Sequence, residues 1–167
     1  MIDFLHAIVL GTQIGKDFTE FSASIGNKGV YLEINGNLMR NNYDEQLLSF
    51  GGAFGVPFGP FSAYFSEKTY FLSLKDKRSL IFSVASGIGA NLYIMPCFSI
   101  YSEIYGLPYV FTFNNYSYKE ANIGITYEII KSLIMSVGYR FIKIKDNSAD
   151  IKHTFADNFF IGGVLHF

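Results

Sequence analysis

The sequence predicts an all-β protein, a closed antiparallel up-and-down transmembrane β-barrel formed by residues 1–167 as a single outer-membrane domain. Three observations predict this fold. Apolar and polar residues alternate in segments about as long as the 9–11 residues of a membrane-spanning strand. Charged residues make up only 16% of the chain, against about 25% in soluble domains. Apolar residues make up 50% of it, yet they never form the run of about 18 that a spanning helix needs.

Nine segments carry the alternation, and the last three carry it most clearly. Six come first: Phe18–Ile25, Gly29–Arg40, Gln46–Gly55, Phe61–Leu72, Leu80–Leu92 and Cys97–Tyr105. In Ala121–Ile129 every second residue from Ala121 onward is apolar, which is the period of a strand with two different faces. Leu133–Lys143 repeats that period, and so do the closing residues up to Phe167. The pattern therefore predicts nine strands.

Strand parity calls for a tenth strand. Single-chain bacterial barrels have an even number of strands, which places both chain ends on the periplasmic side. We therefore expect Ile2–Leu10 to be the first strand, followed by a loop at Gly11–Asp17, although its alternation is poor. A ten-stranded barrel is the first choice, and an eight-stranded barrel with one segment outside the wall is the alternative.

The connections alternate in length, which fixes the orientation. Three long ones are Ser73–Ser79, Gly106–Tyr118 and Lys145–Thr154, and three short ones are Val56–Pro60, Tyr93–Pro96 and Ile130–Ser132. Outer-membrane barrels have short periplasmic turns and longer external loops. We therefore assign the long connections to the outside of a bacterial outer membrane.

The residues between the apolar positions indicate which face is enclosed. On a soluble barrel these positions would be rich in Lys and Glu. Here they are small, as in the set Ser83, Ala85, Gly87, Gly89, Asn91, Ser49, Gly51 and Ala53. Small residues suit a crowded barrel interior, so we expect the apolar face to contact lipid. Glu67 falls on that apolar face, so we expect it to lie near the membrane interface or next to a bulge. We expect the aromatic girdles that flank the apolar band to include Tyr43, Tyr64, Tyr70, Phe71, Tyr105 and Tyr109.

Composition excludes several other classes of function. The net charge is −1 and no basic cluster is interleaved with aromatics, so we expect no nucleic-acid binding. Cys97 is the only cysteine and has no neighbours at metal-ligand spacing, so we expect no metal and no cofactor. Residues 1–11 lack a positive region and a cleavage site, so we expect an export leader to have been removed or truncated.

Several stretches resemble the YfaZ-like outer membrane proteins. They begin at Glu120, Ser136, Phe155 and Ile161 and read Glu-Ala-Asn-Ile-Gly, Ser-Val-Gly-Tyr-Arg-Phe, Phe-Ala-Asp-Asn and Ile-Gly-Gly-Val-Leu-His-Phe. Weaker similarity extends back to Gln13. The resemblance implies a barrel of similar length with no assigned activity. The ending in Phe167, with apolar Leu165 and Ile161 before it, looks like the signal read by the barrel assembly machinery.

Charged residues on the enclosed face predict a network inside the lumen. The candidates are Glu20, Glu33, Lys68, Glu103, Glu128 and Arg140, supported by Tyr101 and Asn122. Buried charges are tolerated only when they are paired and hydrogen-bonded. We therefore expect Lys68 and Arg140 each to meet one or two of the glutamates and, with other side chains, to plug the lumen. The leading hypothesis is a non-enzymatic, structural or interaction protein.

Two other functions stay open at this point. The paired network could exchange partners and admit water, as in a narrow porin-like channel for ions or small solutes. A lipid hydrolase at the outer rim could use residues of one loop, Ser148, Asp150, His153 and Asp157, although their spacing matches no known motif. Under each hypothesis we expect a monomer in contact with outer-membrane lipid and lipopolysaccharide.

Overall fold

The computed structural model describes residues 7–26, 31–73, 80–106, 116–146 and 151–167, which form a closed barrel of ten antiparallel strands. The strands are β1 (Ala7–Gly15), β2 (Phe18–Gly26), β3 (Tyr31–Asn41), β4 (Gln46–Phe58), β5 (Phe61–Ser73), β6 (Leu80–Met95), β7 (Phe98–Gly106), β8 (Tyr116–Ile130), β9 (Leu133–Asp146) and β10 (Ile151–His166). Neighbours in sequence pair with each other, and β1 closes the ring against β10. The ten-strand prediction is confirmed and the eight-strand alternative is wrong. No helix among the described residues is long and apolar enough to cross a bilayer.

The first strand lies further along the chain than its predicted bounds of Ile2–Leu10. β1 includes residues 11–15, which were predicted to be a loop, and residues 1–6 lie outside the described part. Gly11 and Gly15 both pair with residues of a neighbouring strand. A Cβ on Gly15 would lie 2.5 Å from the Phe18 ring, and one on Gly11 would lie 2.5 Å from Ser22 Oγ. These glycines therefore make room for side chains of the neighbouring strand.

Three strands extend further at the external end than the alternation predicts. β8 begins at Tyr116 rather than Ala121, β9 continues to Asp146, and β10 begins at Ile151. Tyr116 pairs with Asp146 at the top of this extension. The outward residues here are polar, among them Lys119, Lys143 and Lys145. The apolar pattern therefore ends before the hydrogen-bonded ladder does.

The large apolar side chains point away from the barrel axis, as predicted. Phe159 is 75% exposed and Ile34 is 71% exposed, whereas Arg140 and Ser83 are buried inside. Such exposure suits a wall in contact with hydrocarbon, where the alternate positions face the lumen. The interpretation of the two faces is confirmed.

Glu67 does lie on the outward face, and no bulge puts it there. It is the middle residue of β5 and pairs without a register shift with Gly52 on one side and Ser86 on the other. The bulge explanation is therefore wrong, and a place near the membrane interface stays a prediction. Its two cross-strand neighbours, Gly52 and Ser86, have small side chains.

The predicted aromatic girdle is wrong for three tyrosines. Tyr64, Tyr70 and Tyr105 share the phase of Lys68 and Glu103 and point into the barrel. Phe71 faces outward and packs on Phe82 with ring centroids 5.3 Å apart. Tyr43 is exposed in the turn between β3 and β4, and Tyr109 lies outside the described residues. The phenol side chains of Tyr64, Tyr70 and Tyr105 therefore belong to the lumen.

Candidate functional site

Four charged side chains meet across the middle of the lumen. Arg140 on β9 lies 2.5 Å from Glu20 of β2 and 2.6 Å from Glu120 of β8, measured between guanidinium nitrogens and carboxylate oxygens. Lys68 Nζ on β5 lies 3.6 Å from Glu120 Oε2. All four side chains are at least nine-tenths buried. We call Glu20, Lys68, Glu120 and Arg140 the ionic layer.

Neutral groups complete the ionic layer. The amide oxygen of Gln13 accepts a hydrogen bond of 2.9 Å from Arg140 Nη1. The Tyr118 hydroxyl donates one of 2.9 Å to Glu120 Oε2, and the Tyr70 hydroxyl donates one of 3.4 Å to the same oxygen. Lys68 Nζ lies 3.7 Å from the centroid of the Tyr105 ring. These contacts supply the pairing that makes buried charge tolerable.

Glu120 holds the layer together, and the sequence prediction missed it. It contacts both cations, whereas the predicted network assigned them only to other glutamates. The residue lies just before Ala121, where the apolar alternation begins, and therefore just outside the predicted strand. It has the same parity as Asn122, which was predicted to face the lumen. Extending the alternation from Asn122 back to residue 120 would have placed Glu120 on the inward face.

The other predicted lumen residues lie on the periplasmic side of the ionic layer. Glu33, Tyr101, Glu103 and Asn122 line a cavity of about 250 Å³ together with Gln13 and Asn35. The Tyr64 hydroxyl donates a hydrogen bond to Glu103, and that of Tyr101 donates one of 3.5 Å to Asn122 Oδ1. Glu128 is half-buried near the periplasmic end and does not line this cavity. We call this space the periplasmic cavity.

Large apolar side chains fill the lumen on the external side of the ionic layer. They come from both sides of the barrel and are nearly or fully buried: Phe18, Met39, Leu47, Leu72, Ile81, Ile142, Ile144 and Phe155. We call this set the apolar plug. The sequence prediction assigned large apolar residues to the lipid face and did not foresee a second set inside. The available signal was parity, since Ile142 and Ile144 continue the inward phase of Arg140.

The two described residues of the hydrolase hypothesis, His153 and Asp157, do not come together. The imidazole Nε2 of His153 lies 2.7 Å from Glu45 Oε2, and Asn41 donates a hydrogen bond of 2.6 Å to the same oxygen. A bulge between Thr154 and Ala156 shifts the phase of β10. Asp157 therefore faces outward, where it accepts a hydrogen bond from the Tyr139 hydroxyl. Ser148 and Asp150 lie outside the described residues.

The residues of the predicted assembly signal lie on the outer surface. Ile161, Leu165 and Phe167 are all exposed on or just after β10, the strand that closes the barrel against β1. Their recognition by the assembly machinery stays a prediction.

Within the described ranges no three His, Cys, Asp or Glu side chains are grouped so as to hold a metal ion.

Similarity to solved structures extends to the whole barrel. The chain aligns with the KdgM porin at a TM-score of 0.50 and 10% identity, covering 96% of this chain and 99% of the other. It aligns equally with the NanC porin, again at 0.50 and 10%, covering 97% and 99%. At such low identity these likenesses establish the fold alone.

Similarity in sequence identifies the family. The family described as "YfaZ precursor" matches residues 4–167. The Outer membrane protein YfaZ of Escherichia coli (strain K12) is 25% identical over 158 residues, which cover 95% of this chain and 87% of that protein. The resemblance found in the sequence is thereby confirmed, and the localisation in the outer membrane agrees with it. The chain belongs to the YfaZ family of outer-membrane β-barrel proteins.

Proposed function

We propose that this protein is a sealed, non-enzymatic barrel of the outer membrane, in which side chains block the lumen and no ion path crosses it. The apolar plug is the observation that carries the proposal. Its residues come from most of the circumference of the barrel, since they lie on β2, β3, β4, β5, β6, β9 and β10. A ring of this kind closes the lumen from all sides at once.

An ion that crossed the plug would have to lose its water among these side chains. Phe18, Phe155 and Ile142 are at most 2% exposed and present only hydrocarbon. Transfer of an unpaired charge into such surroundings costs several kcal/mol or more. Hydrophobic constrictions also exclude water itself. The external half of the lumen is therefore a barrier to ions and to water.

The ionic layer strengthens the barrier on its periplasmic side. Its two cations and two carboxylates neutralise each other within one cluster, so it presents little net charge to a passing ion. Arg140 also connects β9 to β8, β2 and β1 through its contacts with Glu120, Glu20 and Gln13. We infer that the layer holds the wall together across the lumen, beneath the plug.

Planar-bilayer recording of the refolded protein tests the proposal. We expect no discrete conductance from the natural sequence at any applied voltage of either sign. The double variant Phe18→Ala with Phe155→Ala empties part of the plug, and we expect it to show discrete openings. Phe21→Ala with Phe159→Ala removes two lipid-facing rings from the same strands and should remain silent.

Two outcomes contradict the sealed barrel. Reproducible unitary steps from the natural sequence would favour the narrow channel. Equal conductance from the plug variant and from the lipid-face control would show that openings arise from a loosened wall rather than from the plug. A heat-dependent shift in gel mobility verifies that each variant is a folded barrel before recording.

A further inference from the structure

The charges around the periplasmic cavity do not balance. Its wall includes Glu20, Glu33 and Glu103 together with the cations Lys68 and Arg140. Glu20 and the nearby Glu120 already pair with those two cations. Neither Glu33 nor Glu103 forms an ion pair with any residue that the structure describes; Glu103 accepts a hydrogen bond from the Tyr64 hydroxyl. Two carboxylates thus face this cavity without a cation at ion-pair distance.

The wall of the same cavity also holds a donor with unused capacity. The Lys68 side chain is at least nine-tenths buried and lines the cavity. Its ammonium approaches Glu120 only to 3.6 Å, beyond hydrogen-bond distance, and otherwise lies over the Tyr105 ring. An ammonium can donate three hydrogen bonds. Within the described ranges no acceptor lies close enough to Lys68 Nζ to take one.

The unpaired carboxylates and the ammonium together define the chemistry of a ligand. Unpaired carboxylates attract a cationic group, and an ammonium without acceptors attracts an anionic one. A metal ion would meet only the first need, and the described acidic groups do not converge as a metal site requires. A molecule that carries an ammonium at one end and a carboxylate at the other meets both needs.

We propose that the periplasmic cavity binds a small zwitterion of amino-acid size. Its ammonium lies between Glu33 and Glu103, and its carboxylate accepts hydrogen bonds from Lys68. The cavity of about 250 Å³ has room for such a molecule, and the amides of Asn35 and Asn122 and the hydroxyl of Tyr101 can bond to it. The apolar plug closes the other end, so the ligand enters and leaves on the periplasmic side. The inference goes beyond a sealed lumen. The binding site itself does not depend on the seal; only the side of entry rests on that proposed function.

Isothermal titration calorimetry of the folded barrel in an uncharged detergent tests this site. The probes are glycine, 4-aminobutyrate and 6-aminohexanoate, with n-butylamine and butyrate as matched compounds that carry one charge each. We expect saturable one-site binding of at least one amino acid. We expect n-butylamine and butyrate to bind at least about tenfold more weakly than that amino acid.

Variants identify the residues that bind each end. Glu103→Gln and Lys68→Met should each weaken binding by at least about tenfold, because each leaves one end of the ligand without its partner. Glu128→Gln is the matched control, because it changes a glutamate outside the cavity and should bind as the natural sequence does. If Lys68→Met does not fold, the comparison of 4-aminobutyrate with n-butylamine still tests the carboxylate end. Glu33→Gln, outside the ionic layer, then gives a second test of the ammonium end.

Three results would overturn the proposal. Absence of saturable heat with all three amino acids would show that no such site exists. Equal binding of n-butylamine and 4-aminobutyrate would show a site for cations only. Unchanged affinity in Glu103→Gln would place the binding elsewhere. Because the readout is binding and not conductance, failure here leaves the sealed barrel intact, and failure of the sealed barrel leaves this site intact.

Discussion

The external and periplasmic halves of the lumen are enclosed by the same strands but are filled differently. β9 shows the contrast along one line of inward residues, which runs from Ser136 and Gly138 through Arg140 to Ile142 and Ile144. The outward residues of β9 are apolar or aromatic from Leu133 to Phe141, whether the inward residues beside them line the periplasmic cavity or lie next to the apolar plug. The membrane thus constrains one face of each strand, and the other face is free to change from polar cavity to charged layer to apolar plug.

Loss of Arg140 is expected to have the largest effect, because it removes the boundary between the two halves. Arg140→Ala leaves Glu20 and Glu120 buried without their main cation, which typically costs about 3–5 kcal/mol of unfolding free energy. Denaturant titration of the refolded barrel, followed by the heat-dependent gel shift, measures this loss. Arg40→Ala is the matched control, because its ion pair with Asp44 is exposed on the external rim and should contribute at most about 1 kcal/mol. Equal losses for the two variants would contradict the role given to the ionic layer.

Truncation within the plug is expected to have the next largest effect. Ile142→Ala creates a cavity at a fully buried site, and changes of this kind cost about 2–5 kcal/mol. Ile123→Ala removes the same side chain from the lipid-facing wall of β8, where lipid can fill the space. The same titration compares the two variants, and the plug variant should unfold at a clearly lower denaturant concentration. A lipid-face variant as unstable as Ile142→Ala would argue against a packed external half.

Added bulk beside the lumen should give a smaller loss. A Cβ on Gly138 would lie 2.5 Å from the Ile123 carbonyl oxygen and 2.6 Å from the Phe160 ring. Gly138→Ala should therefore cost about 1–3 kcal/mol through overpacking. On the outward face a Cβ on Gly163 would meet only Met135 Sδ, at 3.6 Å. Gly163→Ala should be close to neutral in the same measurement, and equal effects would contradict the close packing on the inward face.

The sequence was informative wherever the membrane constrains the residues. Nine strands and the identity of the lipid face follow from the period of two, because hydrocarbon accepts few polar side chains. The tenth strand follows from the even strand number of bacterial barrels, and the orientation follows from the lengths of the connections. Glu20, Lys68 and Arg140 were placed in one network, since charges enclosed in a barrel need partners.

The sequence was less informative where packing alone decides. The plug residues have the composition of lipid-facing residues, so an inward Ile144 and an outward Ile125 differ only in parity. The bulge near Phe155 then changes that parity in β10, and no local residue pattern predicts the bulge. Gly11 and Gly15 of β1, which were predicted to lie in a loop, make room for Phe18 and Ser22 on another strand. These features depend on contacts between strands and cannot be derived from one strand at a time.

Water contact resolved by residue tests most directly whether the external half is dry and the periplasmic half is wet. Solid-state NMR of the barrel in lipid bilayers can follow transfer of magnetisation from water to each backbone site. We predict rapid transfer to Ser136 and Thr126, which line the periplasmic cavity, and slow transfer to Ile142 and Leu72 in the plug. Rapid transfer to the plug residues, at the rate of the cavity residues, would mean that water fills the whole lumen and would contradict the sealed barrel.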